Sequence, residues 1–307
     1  MPQPDLIQVK RALKILPRPH PQFLNNAFFD PYAGCEFGCV YCYGVKEDFA
    51  DEGEGESPFR VGVKTNCAFA LKKELDRMTA SPAPQEQGKV SVGLSFATDP
   101  YQPCEEQFQL TLRALETARE KQVPLQIITK SELILRDAKL LAELSREGLC
   151  VVSVSLFTTD EDVSRAFEPR VISPGKRLGL IERLRKEGVS AGAFLMPIFP
   201  FVTDGPESLE ETFSALKSAG AQYCVPGILS LAHEMARERV LRVLGEKFPR
   251  ACYQYAVLYD AAGKPSRNYC AGLEKILKSC SEKFEIPSVL PVPGHGEKQD
   301  LIVKDSL

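Results

Sequence analysis

No stretch of this 307-residue chain approaches roughly 18 uncharged apolar residues, so no membrane-spanning helix is expected. The opening run MPQPDLIQVKRALKILPRPHPQF has no apolar core of about 7–15 residues followed by small residues. A secretory signal is therefore not expected, and the expected location is cytoplasmic. Strong charge of either sign is also missing: the net charge is −3, so no global field draws nucleic acid to the surface. Lys10, Arg11, Lys14 and Arg18 against Asp5 make the start locally basic, which reads as a solvated arm. No linker divides the chain, and low complexity is confined to the acidic DEGEGE at 51–56.

Cysteine is not scarce. Ten are present, but paired disulfides suit short secreted chains, and this chain is long. Cys67, Cys150, Cys224 and Cys252 lie in apolar or helix-start contexts, where Cys packs as a small hydrophobe.

β-rich runs recur at 59–63 (FRVGV), 90–96 (VSVGLSF), 125–129 (LQIIT), 150–157 (CVVSVSLF), 190–196 (SAGAFLM) and 221–229 (AQYCVPGIL). They are nearly continuous in Val, Ile, Leu and Phe, as strands covered on both faces are. Amphipathic helical patterns separate them: Phe108, Leu112, Leu115; Leu140, Leu141, Leu144; Leu178, Ile181, Leu184; and Leu209, Phe213, Leu216. Ser131 and Ser173 are placed as N-caps, with Pro174 following where a missing N–H costs nothing. Gly148, Gly188 and Gly220 each stand between a helix and a strand, where a left-handed residue closes a helix. The repeat of helix, Gly and strand implies βα crossovers and a parallel sheet.

The segment NNAFFDPYAGCEFGCVYCYG holds Cys35, Cys39 and Cys42 in a C-x3-C-x2-C spacing, on a loop with Gly34 and Gly38. Glycine lets a backbone turn tightly around a bulky group. Thiolates suit zinc or an iron–sulfur cluster. Structural zinc wants four protein ligands, and no fourth Cys or His is near: His20 lies upstream and Cys67 well downstream. Three thiolates on a four-iron cluster leave one iron open for a substrate. A zinc-binding interaction module stays as the alternative, as does an iron–sulfur protein that does not use S-adenosylmethionine (SAM).

With Tyr41 just before the last Cys, this motif resembles the signature of the radical SAM superfamily. DPYAGCEFGCVYCYG is similar, more closely, to the spore photoproduct lyase-like ("DNA repair photolyase") branch. VKTN (63–66), TDPYQPCE (98–105), ITKS (128–131), EPR (168–170) with SPGKRL (173–178), and MPIFPFVTD (196–204) follow in that branch's order, so the likeness covers about residues 25–230.

The resemblance implies an α/β fold: a partial (β/α)6 TIM-type barrel of the radical SAM type, with the cluster loop after the first strand. The expected division is an N-terminal arm (1–24), a core barrel (25–232) and a C-terminal extension packing on it (233–307). It implies a [4Fe–4S] cluster on Cys35, Cys39 and Cys42, and SAM chelated to the open iron. An electron from an external flavodoxin- or ferredoxin-type reductant would split the SAM sulfonium bond to a 5′-deoxyadenosyl radical. That radical takes hydrogen from a substrate, with nucleic-acid lesions as the branch's theme. Tyr41 would pack on the adenine side, Thr98 and Asp99 would contact the methionine ammonium, and Lys130 the SAM carboxylate. Ser153 and Ser155 alternate with apolar residues and share one face, and Arg170 would serve the carboxylate or ribose. The plain alternatives are a solvated helix-start lysine, small core serines and a surface ion pair.

Two departures stand out. The lyase has a hydrogen-donating Cys at the end of its second strand, and SFATD (95–99) has none. Cys104 is the nearest candidate donor. Asp30 stands where the branch usually has Asn. In the tail, Cys252, Cys270 and Cys280 lack the short pairing of a second cluster, and the segment from Cys252 reads as a strand-like run and a helix. HEMARE (233–238) lacks the second His of a zinc-protease helix.

Overall fold

The computed structural model describes residues 4–16, 25–44, 60–80, 91–95 and 97–291. Short strands come first: β1 (Asp5–Ile7), β2 (Leu13–Ile15), β3 (Ala27–Phe29), β4 (Tyr32–Ala33) and β5 (Gly62–Lys64). Helices and strands then alternate through α1 (Cys67–Ala80), β6 (Val92–Leu94), α2 (Glu105–Phe108), α3 (Leu110–Lys121) and β7 (Leu125–Thr129). A 3-10 helix (Glu132–Asp137) leads into α4 (Ala138–Arg146), β8 (Cys150–Ser155), α5 (Glu161–Phe167), α6 (Pro174–Lys186), β9 (Ala191–Ile198), α7 (Pro206–Ser218) and β10 (Cys224–Ile228). Three helices follow: α8 (Glu234–Lys247), α9 (Pro249–Leu258) and α10 (Arg267–Phe284).

The main sheet runs β10-β9-β8-β7-β6-β3-β2. Six of its strands are parallel neighbours in chain order, and β2 adds an antiparallel edge to β3. This is a partial (β/α)6 barrel. The expected crossovers are present, and their helix ends follow one rule. Gly148, Gly188 and Gly220 have φ of 71°, 86° and 74°. After each, the next N–H returns to the carbonyl five residues back (Leu149 to Leu144, Val189 to Leu184, Ala221 to Leu216). Ser131 and Ser173 cap as expected, accepting from Leu133 N and Lys176 N.

Side chains alternate along each strand. On β8, Cys150, Val152 and Val154 join the large core between sheet and helices. Val151 faces the barrel interior with Phe28, Phe194, Tyr223 and Val225, and Leu290 completes that cluster. A third cluster of Phe157, Phe167, Phe199, Leu229, Val240 and Tyr255 joins the ends of β8 and β9 to α5, α8 and α9.

Two expectations need correction. The run at 59–63 is not a barrel strand: β5 pairs with β1 and β4 in a separate three-stranded sheet. The first barrel strand is β3, whose three residues are too short for an alternation to show. The run from Cys252 is not strand-like either, because it lies in α9. There Ala251, Tyr255 and Leu258 bury at helical spacing, and that packing outweighs the β-preference of the aromatics. DEGEGE lies outside the described residues.

Candidate cluster and cofactor site

The cysteine loop leaves β4 at Tyr32, whose hydroxyl donates to the fully buried Glu105. Glu105 also accepts from Arg136 Nη2 (2.7 Å), and Arg136 pairs with Asp137 (2.8 Å), which accepts from the Tyr101 hydroxyl (3.1 Å). This buried network fixes the 97–105 segment against the loop. Gln102 completes the link, accepting from Glu36 N (2.9 Å) and donating to Gly34 O (3.3 Å). Gly34 takes φ +77°, and a Cβ there would run into the Arg60 carbonyl; at Gly44 it would run into that of Ala97. On the other side, Val40 N donates to Phe167 O (2.9 Å) and Arg239 Nη2 donates to Cys42 O (2.7 Å). The loop is thereby held by α5 and α8 together.

Cys39 is buried, and Cys35 and Cys42 are half-buried. Burial, then the nearby Asp99, pushes the Cys35 thiol up to about 12. Burial raises Cys39 well above its usual value, while the Lys130 ammonium pulls it back. Each of these two thiols feels the charge of Cys42, and Cys39 feels Cys35, so the three sulfurs are neighbours. Gly44 N points at Cys42 Sγ (3.3 Å), the kind of donor that tunes a metal-bound thiolate. Among the described residues no three His, Cys, Asp or Glu side chains close on a single metal-ion position. Thiolates of a four-iron cluster bind different irons, so they need only face one cage. Neighbouring thiols on one loop, an N–H aimed at sulfur and cations beside them fit a [4Fe–4S] cluster.

Asp99 is buried and already engaged. Its Oδ1 accepts from Tyr101 N (2.9 Å) and Thr129 Oγ1 (2.7 Å), and its Oδ2 from Lys130 N (2.8 Å). One acceptor direction on Oδ2 is left. Burial raises its pKa against these bonds. Thr98 Oγ1 (3.3 Å) and Ala97 N (3.2 Å) both donate to Asp30 Oδ1, so the Asp at position 30 organises the strand-end turn. Lys130 lies with its ammonium 5.9 Å from the Tyr41 ring centre. Burial alone would lower its pKa, but Cys39, Glu168 and Asp99 carry it above the usual value.

Tyr41 packs edge-on against Phe157 and Phe199 (5.8 Å each) and donates its hydroxyl to Glu168. Glu168 Oε1 lies 3.9 Å from Cys39 Sγ, and Oε2 lies 2.6 Å from Arg177 Nη1. Both side chains of this ion pair are 0% exposed. Ser153 faces the interior, its hydroxyl 2.8 Å from that of Tyr223. Ser155 is buried on the same face, and its carbonyl accepts from Arg177 Nη1 (3.0 Å). Arg170 is exposed, two residues past Glu168. Cys104 occupies the N-cap position of α2 without a side-chain capping bond, and its N–H donates to Glu36 Oε2 (2.7 Å); burial and then Glu36 raise its pKa.

Glu168, Arg177 and Arg239 are the residues that sequence reading missed. The first two lie within EPR and SPGKRL, but a Glu after one helix and an Arg inside the next carry no shared spacing. Arg239 has no local signal at all. Deeper in the barrel, Asn25, Phe28, Gly93, Ser95, Gln126 and Ile128 line a small cavity without a charged group. Ser95 Oγ and Gln126 Nε2 are buried there without a partner among the described residues, and Ser95 takes φ 67°.

The sequence profile of the radical SAM superfamily matches residues 30–216. An uncharacterized protein of Mycobacterium tuberculosis is 32% identical over 192 residues, covering 62% of this chain and 54% of the relative. The chain thus spans about half the length of the first curated relatives it matches. An uncharacterized protein of Methanocaldococcus jannaschii is 28% identical over 211 residues, covering 68% and 73%. Among solved structures, spore photoproduct lyase complexed with dinucleoside spore photoproduct superposes with a TM-score of 0.65 at 16% identity, over 91% of this chain and 79% of that one. That likeness is one of fold.

Proposed function

The chain belongs to the radical SAM superfamily, and from that premise we propose that it is an enzyme whose Cys35, Cys39 and Cys42 hold the [4Fe–4S] cluster that the family uses with SAM. The observation that carries this reading is the anchored cysteine loop, tied to α5 through Val40 N and to α8 through Arg239, with the Gly44 N–H aimed at Cys42 Sγ. When bound, the cluster and SAM supply one-electron cleavage of the sulfonium bond and so a 5′-deoxyadenosyl radical.

The protein's own part is to hold, orient and shield. Lys130 offers a cation to the SAM carboxylate, kept charged by Cys39, Glu168 and Asp99. Asp99 keeps one acceptor direction for an ammonium, while its other bonds fix the Lys130 backbone. Tyr41 packs with Phe157 and Phe199 into an aromatic wall on the side of the buried Cys39, which limits water there. Ser155, Arg170 and Cys104 are second-rank candidates: a strand-end hydroxyl, a rim cation and a thiol near Cys35 that could return hydrogen to a substrate radical. Ser153 is bonded to Tyr223, which supports a role in fixing the barrel interior.

The partners we propose are a flavodoxin- or ferredoxin-type reductant and an organic substrate that gives up hydrogen to a carbon radical. A nucleic-acid lesion, the theme of the branch that the sequence resembles, is the substrate class we put first. The domain division proposed is an arm (1–24), a core (25–232) and an extension (233–307) that completes the site through Arg239.

Anaerobic purification and a SAM assay test the reading. We expect brown protein with about four irons per chain, and 5′-deoxyadenosine from SAM under dithionite. Colourless protein with stoichiometric zinc would refute it, as would an intact cluster that leaves SAM uncleaved.

A further inference from the structure

The Glu168–Arg177 pair is poorly built for stability. Both side chains are fully buried, which costs each ion its hydration. Arg177 Nη1 gives one of its two hydrogens to Ser155 O (3.0 Å), and Glu168 Oε2 takes no hydrogen bond from the described residues, so its 2.6 Å approach to Nη1 is a charge contact without hydrogen-bond alignment. Arg177 Nε has no partner among the described residues. An apolar pair of the same volume would often serve the core as well.

The carboxylate is instead aimed at the cysteine loop. Oε2 faces Arg177, while Oε1 takes the Tyr41 hydroxyl and lies 3.9 Å from Cys39 Sγ. The glutamate therefore stands between the arginine and the sulfur, and its negative end is the nearer. Lys130 and Arg239 bring positive charge to the same sulfurs. Of the ionisable side chains outside the cysteine loop that act on Cys39, Glu168 is the carboxylate in contact with it and Lys130 the opposing cation. Charge beside the sulfurs is one of the levers that sets a cluster's potential, and it is felt strongly where water is scarce.

We propose that Glu168 is a positioning residue that lowers the reduction potential of the cluster, by holding a fixed negative charge against Cys39. This rests on the cluster assignment above. Arg177 lies against the other oxygen of that carboxylate in the same buried place, and Tyr41 fixes which oxygen faces the thiolate.

The test is a redox titration of cluster-loaded protein without SAM, with iron and sulfide measured on the same samples. Glu168→Gln keeps the shape and can still accept from Tyr41, so a positive shift of the midpoint potential is expected at unchanged iron content. Glu168→Asp, which retains the charge, should recover most of the wild-type value. A full cluster at an unchanged or lower potential in Glu168→Gln would overturn the proposal. If Glu168→Gln loses iron, the double variant Glu168→Gln/Arg177→Gln takes its place with the same expected sign. Loss of iron from both would assign the pair to holding α5 and α6 together, against the proposal. Wild-type protein that binds no iron would instead overturn the cluster assignment itself.

Discussion

Asp99 accepts three hydrogen bonds: those from Thr129 Oγ1 and Lys130 N join the end of the second barrel strand to the third, and that from Tyr101 N closes its own turn. An amide in its place turns a donor toward Lys130 N–H. Asp99→Asn is expected to cost about 2–3 kcal/mol in urea unfolding, the scale of a lost bond to a buried charge. Gly44 is constrained by space instead: a side chain there meets the Ala97 carbonyl. Gly44→Ala should push the end of the cysteine loop outward, and most of the iron should be lost on reconstitution while the far-ultraviolet circular dichroism stays unchanged. Iron content equal to wild type would show that the loop tolerates the shift.

At the scale of elements, α8 matters more than its place after the barrel suggests. It lies beyond the matched residues 30–216, yet Arg239 donates to the Cys42 carbonyl. Arg239→Met removes that donor, so cluster iron should pass to a ferrous chelator several-fold faster than from wild type, an effect equal rates would disprove. The amphipathic helices and longer barrel strands could be read from the chain because their periods extend over enough residues. LQIIT at 125–129 coincides with β7. The glycine-closed helices could be read too, since a left-handed residue has few substitutes. β3 escaped notice because three residues carry no period, and α9 because aromatics favour strands until packing decides. In the site, the local cysteine spacing was visible. Glu168, Arg177 and Arg239 were not, because tertiary folding alone brings them to the loop.

For the whole molecule, the fold unites one site from widely separated parts of the chain: the cysteine loop, the strand-end segment at 97–105, Lys130, Glu168 and α8. Binding at such a site stabilises the molecule as a unit. Free SAM at a hundredfold excess over its dissociation constant should add about 2.7 kcal/mol to the unfolding free energy of cluster-loaded protein. The Cys39→Ala protein, with only two thiolates for a cluster, should gain little from the same SAM, and comparing urea midpoints with and without SAM checks both. The Arg239–Cys42 contact spans 197 residues. At about 5–20 residues per second of synthesis, the cysteine loop leaves the ribosome roughly 10–40 s before α8 can cover it. Birth order thus gives the thiols an interval of open access, in which iron and sulfide can be delivered, or oxidants can strike first.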